Sequence, residues 1–268
     1  MEKSFFEPLI QRESSPITIA KCVHVVDPES VDTIVLQVRS TSFGNFLKPY
    51  EISLLGKKMW EWVAFSAPGK VQTTTCSPEA DILSLIHPFL GSAKYTLVLF
   101  SDTPLITSKT VSEIVTYAST RDMNVLRLVR GYVFNTEWAK TASGIASTIS
   151  QSFNDEEFYT INSCAQIPNV INILKMRVLD HLMNSGVVIF DPASTFIDAE
   201  TMVESGVQIH ANNTIRGKSL ICKGTILENG NFIENSIIKE NCHICHSLIS
   251  NEKIEANSNI VCKGKTEE

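Results

Sequence analysis

The run YTLVLFSDTPLI, residues 95–106, sets an aspartate directly behind six residues that read as a buried strand. In open α/β sheets, ligands bind outside the carboxyl ends of the strands, so Asp102 stands where a polar ligand or a metal would be held. Asp102 before Thr103-Pro104 equally suits a turn, because aspartate readily bonds backbone groups two residues on. Position alone leaves both roles open. A second concentration of reactive side chains is NCHICHS, residues 241–247, with two cysteines and two histidines. Cys242-His243-Ile244-Cys245-His246 fits the C-x-x-C-H pattern of haem attachment and also half of a zinc site. A structural zinc needs four ligands, and no second C-x-x-C occurs in the chain.

The elements that must position Asp102 follow from the first part of the chain. Short apolar runs alternate with helical stretches: IVLQV (34–38), KMWEWVAFS (58–66), DILSLIHPFL (81–90), YTLVLF (95–100) and SKTVSEIVTYAST (108–120). Such alternation predicts a parallel sheet covered by helices. KMRVLDHLMNSG (175–186) then reads as an amphipathic helix with Val178, Leu179 and Leu182 on one face and Gly186 at its end.

Near residue 190 the periodicity changes. Ile197, Val203, Ile209, Ile215, Ile221, Leu227 and Ile233 recur at a spacing of six, which suits neither a helix nor a single strand. Smaller or aliphatic residues accompany them at Thr201, Val207, Ser219, Thr225 and Ile237. A six-residue unit of this kind builds one side of a triangular β-coil whose turns stack on each other. After Ile233 the spacing slips, with Ile238, Ile244, Ile254 and Ile260 as the expected anchors. Within such a coil, residues 241–247 are strand-like and alternate faces. Cys242, Ile244 and His246 are then expected to face one way and His243 and Cys245 the other. Ligands so divided do not close on one ion, and Cys242 becomes a small inward-facing hydrophobe.

Composition sets the remaining bounds. A net charge of −6 argues against a nucleic-acid partner, which requires clustered positive charge. The first thirty residues carry no signal-peptide core, and no stretch of about 18 apolar residues would span a bilayer. The expectation is a cytoplasmic protein with no membrane partner, in which the seven cysteines are free thiols.

The run SDTPLI, the segment 160–199 (TINSCAQIPNVINILKMRVLDHLMNSGVVIFDPASTFIDA) and the array behind it resemble the bacterial N-acetylglucosamine-1-phosphate uridylyltransferase family. The resemblance implies an α/β fold class, with a shortened Rossmann-like nucleotidyltransferase domain (1–188) followed by a left-handed parallel β-helix of hexapeptide repeats (189–268). It implies transfer of a uridylyl group from UTP to a sugar phosphate, and a homotrimer formed through the β-helix. The ligands would be a nucleotide or nucleotide-sugar and a sugar phosphate.

Site residues follow from the same resemblance. Asp102 and Asn162 match the family's Mg²⁺ ligands, and a carboxylate with an amide oxygen suits that ion. Arg39 and Lys48 match the catalytic arginine and lysine around the triphosphate, while Gly44, Gln72 and Ser101 match nucleotide-binding positions. The sequence departs from the family at most of these. Gly44 is the one glycine kept in QVRSTSFGNF, the Pro-Lys pair is inverted to Lys48-Pro49, Ser101 replaces a glycine, and Gln72 survives without its G-T-G-H-A partner. A loop without glycines brings its backbone against phosphate oxygens only with difficulty. The sequence therefore supports two functions: an active nucleotidyltransferase, or a catalytically degenerate relative that binds a nucleotide-sugar or serves as an oligomeric scaffold.

Overall fold

A computed structural model of the chain describes residues 30–39, 43, 48–77, 79–145 and 149–264. Its contacts divide these into two units, residues 30–180 with Phe196–Ala199, and His181–Thr195 with residues 200–264.

The first unit runs β1 (Val31–Val38), a short hairpin of β2 (Ser53–Leu54) and β3 (Lys57–Lys58), α1 (Met59–Ser66), β4 (Val71–Cys76), α2 (Ile82–Ile86), β5 (Tyr95–Phe100), α3 (Ser108–Thr120), β6 (Val125–Leu128), β7 (Gly131–Asn135), α4 (Thr136–Thr141) and β8 (Ile149–Ser150). It also holds most of α5 (Ile167–Asn184). Six strands form one sheet in the order β4-β1-β5-β7-β6-β8. β1 runs parallel to β4 and β5, whereas β7 is antiparallel to both β5 and β6. The sheet is therefore mixed, not parallel throughout as the alternation predicts. Only Val129 and Arg130 separate β6 from β7, and so short a link permits only an antiparallel return.

β5 is buried at every position because both faces of the sheet are covered. Tyr95, Leu97 and Leu99 pack with Val63 of α1 and with Val111, Ile114 and Val115 of α3. Val98 and Phe100 point to the other face, against Leu83 and Ile86 of α2 and Ala139 of α4. Each such side chain contributes about 2 kcal/mol on burial, which fixes the strand in depth and register. α5 begins at Ile167, well before the amphipathic stretch that marks it in the sequence, with Pro168 in its first turn where no amide hydrogen is needed.

The second unit is a stack of short strands. In chain order the coil strands of this unit are β9 (Val188–Ile189) and then, past β10 (Phe196–Ile197) of the first unit, β11 (Met202–Val203), β12 (Gln208–Ile209), β13 (Thr214–Arg216), β14 (Leu220–Ile221), β15 (Ile226–Leu227), β16 (Phe232–Glu234), β17 (Ile237–Ile238), β18 (His243–Cys245), β19 (Leu248–Ser250), β20 (Lys253–Ile254) and β21 (Asn259–Val261). They pair in parallel as three columns, β9-β12-β15-β18-β21, β11-β14-β17-β20 and β13-β16-β19. Three parallel columns with one strand from each turn make a parallel β-helix.

Every anchor from Ile197 to Ile233 is fully or almost fully buried. Beyond Ile233, Ile238, Ile244 and Ile254 are also buried, and Ile260 is half-buried. Ile249, which the six-residue spacing passes over, is fully buried as well. The units after Ile233 mix five and six residues, because the corners of the shorter ones are closed by single left-handed residues, Asn235, His246 and Asn251. Two residues before each anchor from Ile197 to Ile249 stands a buried side chain that is small or polar, or valine at position 207. Asn213, Asn231, Ser236 and Ser247 belong to this row, which the apolar pattern conceals. Their oxygens accept backbone N–H groups one coil further on: Asn231 N–H donates to Asn213 Oδ1 at 3.2 Å, Ser247 N–H to Asn231 Oδ1 at 3.0 Å and Lys263 N–H to Ser247 Oγ at 3.1 Å. Buried corners thus keep their amides paired, as an interior without water demands.

Among the described residues no helix is long and apolar enough to cross a membrane.

Candidate functional site

The carboxyl end of β5 is stitched to that of β1 before any ligand is considered. Ser101 N–H donates to Leu36 O at 2.9 Å, and Ser101 Oγ accepts Val38 N–H at 3.0 Å. The Ser101 hydroxyl is therefore spent on the backbone. Asp102 follows, 5% exposed, and its carbonyl accepts the Ile161 N–H at 2.9 Å, which brings the chain at Asn162 beside it. The turn onward to α3 is held from two sides. Glu157 accepts the Thr107 N–H at 2.8 Å and the Thr107 hydroxyl at 3.1 Å, and Arg177 Nη1 donates to Leu105 O at 2.7 Å. Burial pulls the Arg177 pKa below its ordinary value, partly offset by Glu157, and the guanidinium remains charged.

The Asp102 carboxylate meets a fixed cation. Arg130 Nε donates to Oδ1 at 3.1 Å and Nη2 to Oδ2 at 2.7 Å, a bidentate pair. The same guanidinium lies 4.1 Å from the centre of the Phe100 ring, whose face attracts it. Arg130 reaches this place because the β6–β7 turn closes tightly on β5. Gly131, at φ +151°, has the space of a Cβ occupied by Val98 O, so a side chain there would push the turn away. Cys76 ends β4 at the same edge, and burial pushes its thiol pKa up.

The other expected site residues are placed unevenly. Arg39 follows β1 at this edge, exposed, with its N–H donating to Cys76 O at 3.2 Å. Lys48 is exposed at the start of a single 3₁₀ turn, Pro49–Glu51. Gln72 is not at the carboxyl edge: it is the second residue of β4, paired with Ile34 toward the strand's amino end, and its Nε2 donates to Phe89 O at 3.0 Å. Gly44 lies outside the described residues. Asn162 is exposed, and its N–H donates to Gln166 Oε1 at 2.7 Å. The following turn is capped by Ser163 with Gln166.

Arg130 is the functional-site residue that sequence reasoning missed. Its only local signal is a position between two short apolar runs before a glycine, and nothing in that pattern names Asp102 as its partner. The pair also decides the fit of a metal. Mg²⁺ prefers an open carboxylate at close range. Both Asp102 oxygens here are bonded to a guanidinium, whose positive charge opposes a second cation. Asp102 and Asn162 in this arrangement do not fit Mg²⁺.

Two curated proteins share part of this sequence. One stretch of 51 residues, 19% of the chain, is 45% identical to the bifunctional protein GlmU of Syntrophomonas wolfei. A stretch of 56 residues, 21% of the chain, is 43% identical to the bifunctional protein GlmU of Pelotomaculum thermopropionicum. The chain is GlmU-like in part. The matched stretches span 11% and 12% of those relatives' own length. No protein-family model matches the chain.

The coil carries the NCHICHS segment as part of β18 and its flanks. Cys242 and Ile244 are buried inside, while His243 and Cys245 lie outside. Burial pushes the Cys242 thiol pKa up, as befits a residue acting as a small hydrophobe. His246 departs from the alternation: it is exposed, at a corner with φ +45°. Among the described residues, no group of three or more histidine, cysteine or acidic side chains is arranged to hold a metal.

Proposed function

We propose that this chain is a nucleotidyltransferase-like protein that binds a nucleotide-sugar at the carboxyl edge of its mixed sheet without carrying out Mg²⁺-dependent transfer. The observation that carries this reading is the bidentate Asp102–Arg130 pair. A guanidinium presents five N–H donors, and the carboxylate occupies two of them. The side chain of Arg130 is 34% exposed, so the remaining donors are available to a diphosphate at the strand ends. A fixed positive charge would then do for ground-state binding what a metal does in a transferase, without polarising a reacting phosphorus. The sequence agrees, because the loop around Gly44 has lost the glycines that handle a triphosphate.

The second reading is the family reaction itself, UTP and N-acetylglucosamine-1-phosphate giving UDP-N-acetylglucosamine and pyrophosphate. It is supported by the Ile161–Asp102 backbone hydrogen bond, one residue before Asn162. Cytoplasmic location, a left-handed coil and trimer formation through the β-helix belong to both readings.

Thermal melting with UDP-N-acetylglucosamine, and with UTP plus Mg²⁺, separates the two. Binding of a ligand to the folded state alone raises the melting temperature with its concentration. We expect UDP-N-acetylglucosamine to stabilise the protein without Mg²⁺, and no pyrophosphate to be released from UTP and sugar phosphate. Pyrophosphate release would establish the transferase reading, and no shift with either nucleotide would leave a scaffold.

A further inference from the structure

The corner after β18 brings together two groups that strand alternation would keep apart. His246 adopts φ +45°, so its imidazole turns outward instead of following Ile244 into the coil. Nδ1 thereby comes to 2.9 Å from Cys245 Sγ. The preceding coil makes room for the ring at Gly230, where a Cβ would stand 3.1 Å from His246 Cδ2. The next coil repeats the corner with a second thiol. Cys245 pairs with Val261, Cys262 follows at φ +53°, and Cys262 N–H donates to Cys245 O at 3.0 Å. Cys245 is half-buried and Cys262 exposed, whereas Cys76, Cys222 and Cys242 are buried.

Neighbouring parallel strands lie about 4.8 Å apart, and a residue one step along the partner strand lies somewhat further. A disulfide spans Cα atoms about 4.4 to 6.8 Å apart, so Cys245 and Cys262 are within bridging range across two coils. The imidazole beside Cys245 can take its proton as the sulfur attacks, whereas among the described residues the exposed thiol of Cys164 has no such histidine contact.

We propose that Cys245, His246 and Cys262 form a thiol–disulfide exchange site whose substrate is a small-molecule disulfide. Cys245 gives its proton to His246 Nδ1, and its thiolate attacks one sulfur of the disulfide. A mixed disulfide forms on Cys245, and the departing thiolate takes the proton and leaves as a thiol. Cys262 then loses its proton and attacks Cys245 Sγ, forming the Cys245–Cys262 bond and releasing the second half as a second thiol. Two protein thiols are oxidised and one small disulfide is reduced to two thiols, so electrons and protons balance. The site is independent of the nucleotide reading.

The test treats the full-length reduced protein with oxidised glutathione near neutral pH and follows each cysteine by peptide mass spectrometry. The expected product is a Cys245–Cys262 disulfide, formed with Cys245 consumed faster than Cys164. Cys262→Ser should stop at a glutathione adduct on Cys245, and His246→Asn should slow Cys245 about tenfold while leaving Cys164 unchanged. A wild-type Cys245 that reacts no faster than Cys164, or that keeps its glutathione adduct beside a free Cys262, overturns the proposal without recourse to any variant.

Discussion

Arg130 Nη2 lies 2.7 Å from Asp102 Oδ2, and this contact joins the β6–β7 turn to the end of β5. The Asp102 side chain is 7% exposed, and that contact is its ion pair. Removing the half-exposed Arg130 leaves the buried carboxylate uncompensated, at a cost of about 3 kcal/mol. Arg130→Met should lower the urea unfolding free energy by about that amount, and Arg130→Lys, which keeps the charge but loses the fork, by about 1 kcal/mol. An Arg130→Met protein as stable as wild type would show the pair to be dispensable.

The same substitution should change the response to Mg²⁺. With Arg130 present, millimolar Mg²⁺ is expected to leave the melting temperature unmoved, since the carboxylate is occupied by a cation. In Arg130→Met the freed Asp102, with Asn162 beside it, should accept the ion, and Mg²⁺ should raise the melting temperature. Isothermal titration of the two proteins checks this directly. Equal Mg²⁺ binding by both would contradict it.

Within the coil, Asn231 carries more bonds than its burial suggests. Its Nδ2 donates to Glu228 O at 2.7 Å, to Ile244 O at 3.1 Å and to Asn213 Oδ1 at 2.9 Å, while its Oδ1 accepts Ser247 N–H. Alanine there leaves several buried groups unpaired, at about 1 to 3 kcal/mol each before relaxation. Asn231→Ala should cost about 3 kcal/mol in chemical denaturation. Asn231→Ser should recover part of it, because Ser247 performs the same acceptor role one coil on.

Ile249 and Ile260 separate anchor from edge. Ile249 is fully buried, whereas Ile260 is half-buried on the last described strand. Ile249→Ala should cost about 3 to 4 kcal/mol through lost burial and cavity formation, and Ile260→Ala about 1 kcal/mol. Comparable losses at both would contradict the difference in burial between the two positions.

Stability should fall as pH rises above the ordinary thiol value of 9.0, in part through Cys242. Burial raises the folded pKa, so the unfolded chain ionises first and binds fewer protons across that window. The contribution is complete below pH 9.0 and is lost as pH climbs through the folded value. Cys242→Ala should flatten the decline in a series of denaturation curves from neutral to alkaline pH. An unchanged slope would remove Cys242 as a cause.

Much of the fold is legible along the chain because its signals are local. The continuous apolar run at 95–100, the helical spacing at 108–120 and the six-residue rhythm of Ile197 to Ile233 each report one element's own burial. The antiparallel return of β7 was less visible, since a two-residue link reads as a break until the strands are paired. Ile249 escaped because a five-residue unit breaks the count while keeping the turn closed. Asn213 and Asn231 escaped because a polar side chain in a core is identified by its bonds, not by its hydropathy.

By itself the sequence determined two bodies of different periodicity, placed Asp102 at a strand end and set Cys242 apart as an inward residue, since each depends on neighbours a few positions away. The tertiary structure alone decided what those residues meet. A hairpin turn carries Arg130 onto the Asp102 carboxylate, and a left-handed corner turns His246 onto Cys245. Both contacts depend on where the backbone is redirected, and redirection at a turn reverses the face that a linear count of residues would assign.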